Sequence, residues 1–491
     1  MPLRICLVAA EMTPLAKAGG LADVAGALVK YLHAGGHDVR LFMPGYALIR
    51  REALECYPVD FLQGLSLQLG SYRYEFSVST ARLPGTSAFV YLVDCPACFG
   101  RTPIYSADPD EHRRFLLLTH AAFLCCQRMA FAPQILHFND WHSAAGPLLL
   151  RSTYAWDRLF HASRSVLTIH NVGYQGLIGS GALPEVLPGG AAMFDPAELS
   201  AGHIGLLRTG IRYADLITTV SPTYAREIQS PEYGMGLDGE LRARADALVG
   251  VLNGVDYDDW DPRHDHFLPR HYDPDHLGDK AALKQQLLQR LALGSGGDAP
   301  LLGVVSRLVA QKGFDLLFDT LPRLLQQHSF ALVVLGTGEP LYEEFFAALA
   351  REHRTRVHFH RGYSDELAHW IEAASDMFLM PSRYEPCGLN QMYSLRYGSV
   401  PIVRRTGGLA DSVVQFDART GTGTGIVFGD YSAEAAGAAI EEALELYPQR
   451  ESWRRLVRNG MAQDFSWSLQ VQRYVQLYER LAATAVRARS G

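Results

Sequence analysis

From Pro300 onward, short apolar runs alternate with segments whose apolar residues recur every three to four positions. LLGVVSRL precedes a helical run from Phe314 to Gln327, FALVVLGTG precedes a helix from Leu341 to Glu352, and RVHFHRGY precedes a helix across Glu366 to Ala374. DMFLMPS, over Asp376 to Ser382, comes next, then a helix over about Leu389 to Tyr397, then VPIVRRTGG. Apolar runs too short for helices, spaced by amphipathic segments, predict a parallel sheet covered on both faces. This half reads as a complete Rossmann-like domain.

The N-terminal half is less regular but of the same kind, with strand candidates LRICLVAA, HDVRLFMP, AFVYLVD, QILHFND, SVLTIH and DLITTVS. Between the halves lies LVGVLNGVDYDDWDPRHDHFLP, rich in Asp, His and Pro and poor in periodicity. The crossover is placed near Asn253, giving domains over residues 1–253 and 254–467 and a final helix, about 468–491, that straps back onto the first. The expected fold class is α/β, with two Rossmann-like domains facing across a deep cleft into which strand C-terminal ends point.

Bulk properties narrow the partners. A chain of 491 residues exceeds what one core supports, and 48% apolar with 20% charged residues is ordinary globular composition. A formal net charge of −7 argues against nucleic-acid or anionic-membrane partners, which call for a basic face. No apolar stretch has the length of a membrane span, and MPLRICLVAAEM reads into a buried strand rather than a signal peptide. Seven scattered cysteines point to a reduced, cytoplasmic protein; Cys95 and Cys98 make one CxxC without a second pair at zinc spacing, and are read as plain thiols.

Chemistry gathers at strand ends. Tyr-Glu-Pro-Cys-Gly-Leu-Asn-Gln, residues 384–391, puts Glu385 in the crevice after a strand, and the backbone N–H groups of Cys387, Gly388, Leu389 and Asn390 toward a phosphate. At the other end of the chain, Gly19 and Gly20 form a loop between strand and helix with Lys17 beside it, which is either an anion cradle or a tight turn with a solvated lysine. Arg307 and Lys312 leave the end of LLGVVS and would stabilise a departing diphosphate, each by about 3 kcal/mol on the analogy of an oxyanion donor. Asp140 and His142 in LHFNDWH, and His170 and Asn171 in TIHN, offer polar groups for sugar hydroxyls; His142 reads equally as a capped or hydrogen-bonded buried histidine. Tyr363 is either a platform for a nucleobase or a core aromatic, and Thr406-Gly407-Gly408 is a third glycine turn. No GxSxG or HExxH is present, so hydrolase and zinc readings are weak.

Taken together, KAGGLADV, LHFNDWH, TIHN with Gly173-Tyr-Gln-Gly176, ADLITTVSPTYAREI, GLDG, LNGVD, SRLVAQKG, EPCGLNQMYSLRYG and TGGLADSV occur in the order seen in bacterial glycogen synthases and plant starch synthases, and the chain closely resembles that family over nearly its whole length. The resemblance implies a GT-B fold and transfer of glucose from ADP-glucose to the non-reducing end of an α-1,4-glucan, with retention and without metal or other cofactor. It implies Lys17, Arg307 and Lys312 as diphosphate ligands, Asp140 and His170 beside the transferred glucose, Glu385 beside the donor sugar, and Tyr363 on adenine. Asp23, Tyr105 and Asn253 would meet donor or acceptor groups.

Three departures stand out: Ala18 and Asn390 replace threonines, and Arg208-Thr-Gly210 replaces KGG. Retention without an evident nucleophile suggests front-side displacement, with double displacement through Asp140 or Glu385 as the rival. UDP-glucose as donor, a maltooligosaccharide primer as acceptor, and a binding protein without catalysis remain the other readings.

Overall fold

A computed structural model describes residues 2–294 and 298–490; Met1 and Gly491, the outer limits of the expected domain and strap ranges, lie outside the described residues. Two compact units emerge. One takes the described chain up to Val220, Ala225–Val251 and the C-terminal helix from Trp467; the other takes Ser221–Tyr224 and Leu252–Ser466.

In the first unit the central strand Arg4–Val8 has Asp38–Pro44 and then Phe89–Asp94 on one side. On the other side lie Ile135–Asn139, Arg164–Ile169, Leu216–Thr219 and Leu248–Gly250, all parallel. Counting these parallel strands along the chain, the order reverses between the first and the fourth, which is the doubly wound pattern with its switch point there. The central strands are apolar because both faces are covered: Ile5, Cys6, Leu7 and Val8 are all buried. The helix Gly20–Ala34 covers one face with Leu21, Val24, Ala25, Leu28 and Leu32, at the three-to-four spacing the sequence shows.

Beyond Phe89–Asp94 the sheet turns antiparallel, through Tyr72–Arg82 and Cys56–Pro58, with Leu65–Leu69 also paired to Tyr72–Arg82. These strands were not anticipated. Tyr72–Arg82 alternates between exposed and buried positions, so it lacks the continuous apolar run that marks a strand buried on both faces. The C-terminal helix spans Trp467–Ser490 and packs in this unit, where the Tyr478 hydroxyl lies 2.7 Å from His137 Nδ1.

The second unit is a six-stranded parallel sheet in the order Val357–Arg361, Ala331–Gly338, Leu301–Leu308, Met377–Met380, Val400–Arg404 and Ile426–Phe428. Along the chain this is 3-2-1-4-5-6, and the switch point falls between Leu301–Leu308 and Met377–Met380. Helices Pro340–Glu352, Asp365–Ala374 and Asn390–Tyr397 stand where the periodicity puts them.

The run expected from Phe314 to Gln327 is instead a 3-10 turn, Phe314–Leu317, followed by the α-helix Thr320–Gln327. Pro322 accounts for the break: its ring excludes it from a helix interior but suits a first turn.

Candidate functional site

Each switch point holds a cluster of the sequence-selected residues, and each is described within its own unit. In the first unit the chain leaves Arg4–Val8 and places Glu11 under the glycine loop. Glu11 Oε2 accepts the N–H groups of Ala18 and of Gly19, the latter at 2.9 Å, so part of the expected anion cradle is filled by the protein's own carboxylate. Burial raises the Glu11 carboxyl against the pull of those amides and of the Tyr105 hydroxyl, which also donates to it. Lys17 projects from the same loop, about half exposed, with Nζ 2.8 Å from Asp23 Oδ1.

Across the switch point, Asp140 follows Ile135–Asn139 with φ 51, a left-handed conformation that costs a non-glycine residue on the order of 1 kcal/mol and that concentrates at functional sites. That backbone turns its carboxylate to the next strand end, where Oδ1 accepts the His170 N–H at 2.7 Å and the Asn171 N–H at 3.4 Å. Burial pushes the Asp140 carboxyl up to about 7, opposed by those two donors. Asn139 ties three strand ends together, donating to the Val8 carbonyl at 3.1 Å and sitting 3.0 Å from His170 Nε2 through Oδ1. The imidazoles of His170 and His142 are driven down to about 3 by burial, so both are neutral at ordinary pH.

His142 is buried but unsatisfied. Its Nδ1 has no hydrogen-bond partner, and the ring is packed by Tyr105 at 4.7 Å, Trp141 at 4.3 Å and Phe115 at 4.6 Å between centroids. The hydrogen-bonded-histidine reading therefore fails. Next to it opens a pocket of about 790 Å³ whose walls include Ser106, Glu111, Trp141, Tyr174 and Gln175. Gly176, at φ 60, lets the backbone lie on the Trp141 indole, because a Cβ there would stand 2.4 Å from the ring.

In the second unit Lys312 Nζ lies 2.6 Å from Glu385 Oε2, and the Ser382 hydroxyl donates to the same oxygen at 2.9 Å. Lysine and glutamate come from the segments that follow the two strands flanking the switch point. Arg307 is exposed near the end of the strand Leu301–Leu308, outside that ion pair. The Thr406-Gly407-Gly408 turn proves to be more than a connector: Gly408 N–H donates to the Glu385 carbonyl at 3.1 Å, and a Cβ on Gly407 would meet that oxygen at 1.8 Å.

Asn253 and Cys387 are brought together, the Asn253 N–H donating to the Cys387 sulfur, while Asn253 Oδ1 is buried without a partner. Leu389 caps the helix that Asn390 begins, with Gly388 before it at φ 71. The Asn390 amide donates to the Val305 carbonyl at 2.8 Å, so this departure from threonine fastens the helix to the neighbouring strand. Arg208 likewise has local work, donating to Glu198 Oε1 at 2.8 Å and to the Gly236 carbonyl at 2.9 Å. Tyr363 is 74% exposed, which rules out the core reading, and its hydroxyl donates to Asp365.

The sequence reading missed Glu11, Asn139 and Ser382. Glu11 carried a signal, an acidic residue directly after the first strand; Asn139 and Ser382 are short polar residues whose role exists only in the folded geometry.

Comparison with known proteins follows the same division. The family described as starch synthase catalytic domain matches residues 4–243, and glycosyl transferases group 1 matches residues 286–460. The chain is 44% identical to the glycogen synthase of Anaeromyxobacter dehalogenans strain 2CP-C, across 98% of this chain and 100% of that one. It is 42% identical to that of Koribacter versatilis strain Ellin345, across 99% of both. Among solved structures it is similar to the catalytic domain of starch synthase IV from Arabidopsis thaliana bound to ADP and acarbose, with a TM-score of 0.91, 32% identity, and coverage of 98% of this chain and 100% of that one. Sucrose-phosphate synthase from Thermosynechococcus elongatus, with a TM-score of 0.60 at 17% identity over 98% of this chain and 99% of that one, shares the fold.

Proposed function

The chain belongs to the glycogen synthase and starch synthase family, and from that premise we propose that it elongates glycogen, transferring glucose from ADP-glucose to the non-reducing end of an α-1,4-glucan with retention of configuration. It is a hexosyltransferase of GT-B fold. The observation that carries the residue assignment is the Lys312–Glu385 pair at a Rossmann switch point, a cation and a carboxylate 2.6 Å apart where such sheets bind ligands.

In this reading Lys312 and Arg307, with Lys17, stabilise the charge that grows on the diphosphate as the glycosidic C–O bond breaks. Each contributes about 3 kcal/mol, or two to three decades of rate. Lys17 and Lys312 already carry carboxylate partners, so the diphosphate competes with Asp23 and Glu385 for them.

Glu385, relieved of its lysine, and the carbonyl of His170 then face the electron-deficient sugar. The departing phosphate oxygen takes the proton of the incoming hydroxyl, and Asp140, fixed on the His170 and Asn171 amides, orients the glucose. Exposed Tyr363 stacks on adenine. Asp23 and Tyr105 hold Lys17 and Glu11, while the pocket beside Trp141 takes the glucan, since an indole face and polar rims suit sugar rings.

Three basic side chains supply the charge stabilisation, so no metal or other cofactor is invoked. Seven free cysteines support a reducing, cytoplasmic setting, and no helix among the described residues is long and apolar enough to cross a membrane. The test is nucleotide release from ADP-glucose or UDP-glucose in the presence of glycogen. ADP release that depends on glycogen supports the proposal, and release from UDP-glucose alone overturns the choice of donor.

A further inference from the structure

We propose that Cys95 and Cys98 form a redox-active dithiol that low-molecular-weight disulfides, such as glutathione disulfide, oxidise to an intramolecular disulfide. The two residues close the turn between the strand Phe89–Asp94 and the short helix Pro96–Phe99. The Cys95 carbonyl accepts the N–H of Cys98 at 2.9 Å and of Phe99 at 2.7 Å, and the two thiols hydrogen-bond to each other.

Such a donor favours a thiolate. The Cys98 hydrogen bond foremost lowers the Cys95 thiol against its burial, while the same thiol pairing pushes Cys98 upward. One sulfur is thus the nucleophile and the other a protonated resolving thiol, the division of labour that thiol–disulfide exchange needs. Both side chains are 2% exposed beneath the exposed Pro96–Ala97 turn, so exchange waits on local opening and is slow.

The reaction balances within these groups. The Cys95 thiolate attacks one sulfur of the disulfide, forming a mixed disulfide and expelling one thiolate. Cys98 then loses its proton and attacks the Cys95 sulfur, expelling the second. The protein dithiol loses two electrons and two protons, and the small disulfide gains them as two thiols.

Oxidation would be felt at the pocket. The Cys98 carbonyl accepts Arg114 Nε at 2.7 Å, Arg114 Nη1 donates to Glu111 Oε2 at 2.6 Å, and Glu111 accepts the Ser106 N–H at 3.0 Å and hydroxyl at 2.7 Å. Ser106 and Glu111 line the pocket with Trp141, and Arg114 is 1% exposed, so movement of the turn passes to the wall rather than into solvent. This link rests on the reading of that pocket as the glucan site; the dithiol itself does not.

The full-length protein, equilibrated in glutathione buffers of graded oxidation, is acid-trapped, alkylated and mapped by mass spectrometry. The proposal expects one two-electron transition joining Cys95 to Cys98, with glutathione retained on Cys95 in the Cys98→Ser variant. Both cysteines alkylated at every poise, or disulfides forming elsewhere instead, would overturn it. In parallel, the oxidised enzyme should show a glucan KM raised about threefold or more with donor KM unchanged, reversed by dithiothreitol and absent in a Cys95→Ser/Cys98→Ser double variant. A mapped disulfide with an unaltered glucan KM overturns the link to the pocket and leaves the dithiol standing.

Discussion

Lys312 Nζ and Glu385 Oε2 lie 2.6 Å apart, on side chains 18% and 6% exposed, at the point where the strand order of the second unit reverses. A pair this far withdrawn from water keeps its geometry at a cost in desolvation, which a structural role alone seldom requires. In the proposed mechanism a diphosphate at Lys312 would displace the carboxylate onto the sugar, so that one contact serves the resting protein and its rupture serves the transfer.

Asp140 makes stability and function oppose each other. Its carboxyl titrates near 7 in the folded protein and near its usual 3.8 when unfolded. Between those values the folded state binds the extra proton, so the fold loses stability as pH rises through that window, and the full penalty stands above it. Asp140→Asn removes the penalty, at most about 4 kcal/mol. Thermal unfolding of the variant is expected several degrees higher than wild type at pH 8 and level with it at pH 4, while turnover falls by at least two decades. Equal melting temperatures at pH 8 would refute the buried-charge account.

Gly407 is fixed by contact rather than by chemistry. With φ 45 and a Cβ position 1.8 Å from the Glu385 carbonyl oxygen, Gly407→Ala must displace the segment that carries Glu385. A loss of roughly 2–3 kcal/mol together with activity is expected. Gly239→Ala, where nothing lies within 4 Å, should be neutral or slightly stabilising. Denaturant unfolding of the two side by side checks this.

Tyr363 stands out in solvent, so its removal should leave the fold untouched. Tyr363→Ala is expected to raise the donor KM about tenfold, the worth of one aromatic stack, with kcat nearly preserved. Tyr363→Phe keeps the ring that makes the stack and loses the hydroxyl's bond to Asp365, so its donor KM should stay near wild type. A donor KM unchanged in the alanine variant removes Tyr363 from the site.

The pH profile separates carboxylate from imidazole. With His170 and His142 titrating near 3, neither changes charge in the working range. An inflection of kcat near pH 7 belongs to Asp140 and should vanish in Asp140→Asn, whatever activity remains, and persist in His142→Gln. Persistence in the aspartate variant would assign it elsewhere.

How far the sequence reached depended on burial. Strands covered on both faces wrote themselves as apolar runs, and the residues at their C-terminal ends, Asp140, His170, Arg307 and Glu385, could be picked out because loops at such ends face ligands. The antiparallel strand Tyr72–Arg82 escaped because one face meets solvent and its run is broken by polar residues. Glu11 escaped for another reason. Its place directly after the first strand was a signal, but a carboxylate that caps the glycine loop of its own unit is recognised only in the fold, where it fills the N–H groups of Ala18 and Gly19. Asn390 stood out along the chain only as a departure from threonine, and the fold shows its amide serving the Val305 carbonyl.

The most direct test of the account is ADP release from ADP-glucose with glycogen, measured for Lys312→Ala, Glu385→Gln and the double variant against wild type, each checked for an unchanged melting transition. The account predicts losses of at least two decades in each single variant, and a double variant little worse than either, because the two act on one event. Wild-type turnover in either single variant, with the fold intact, would contradict it.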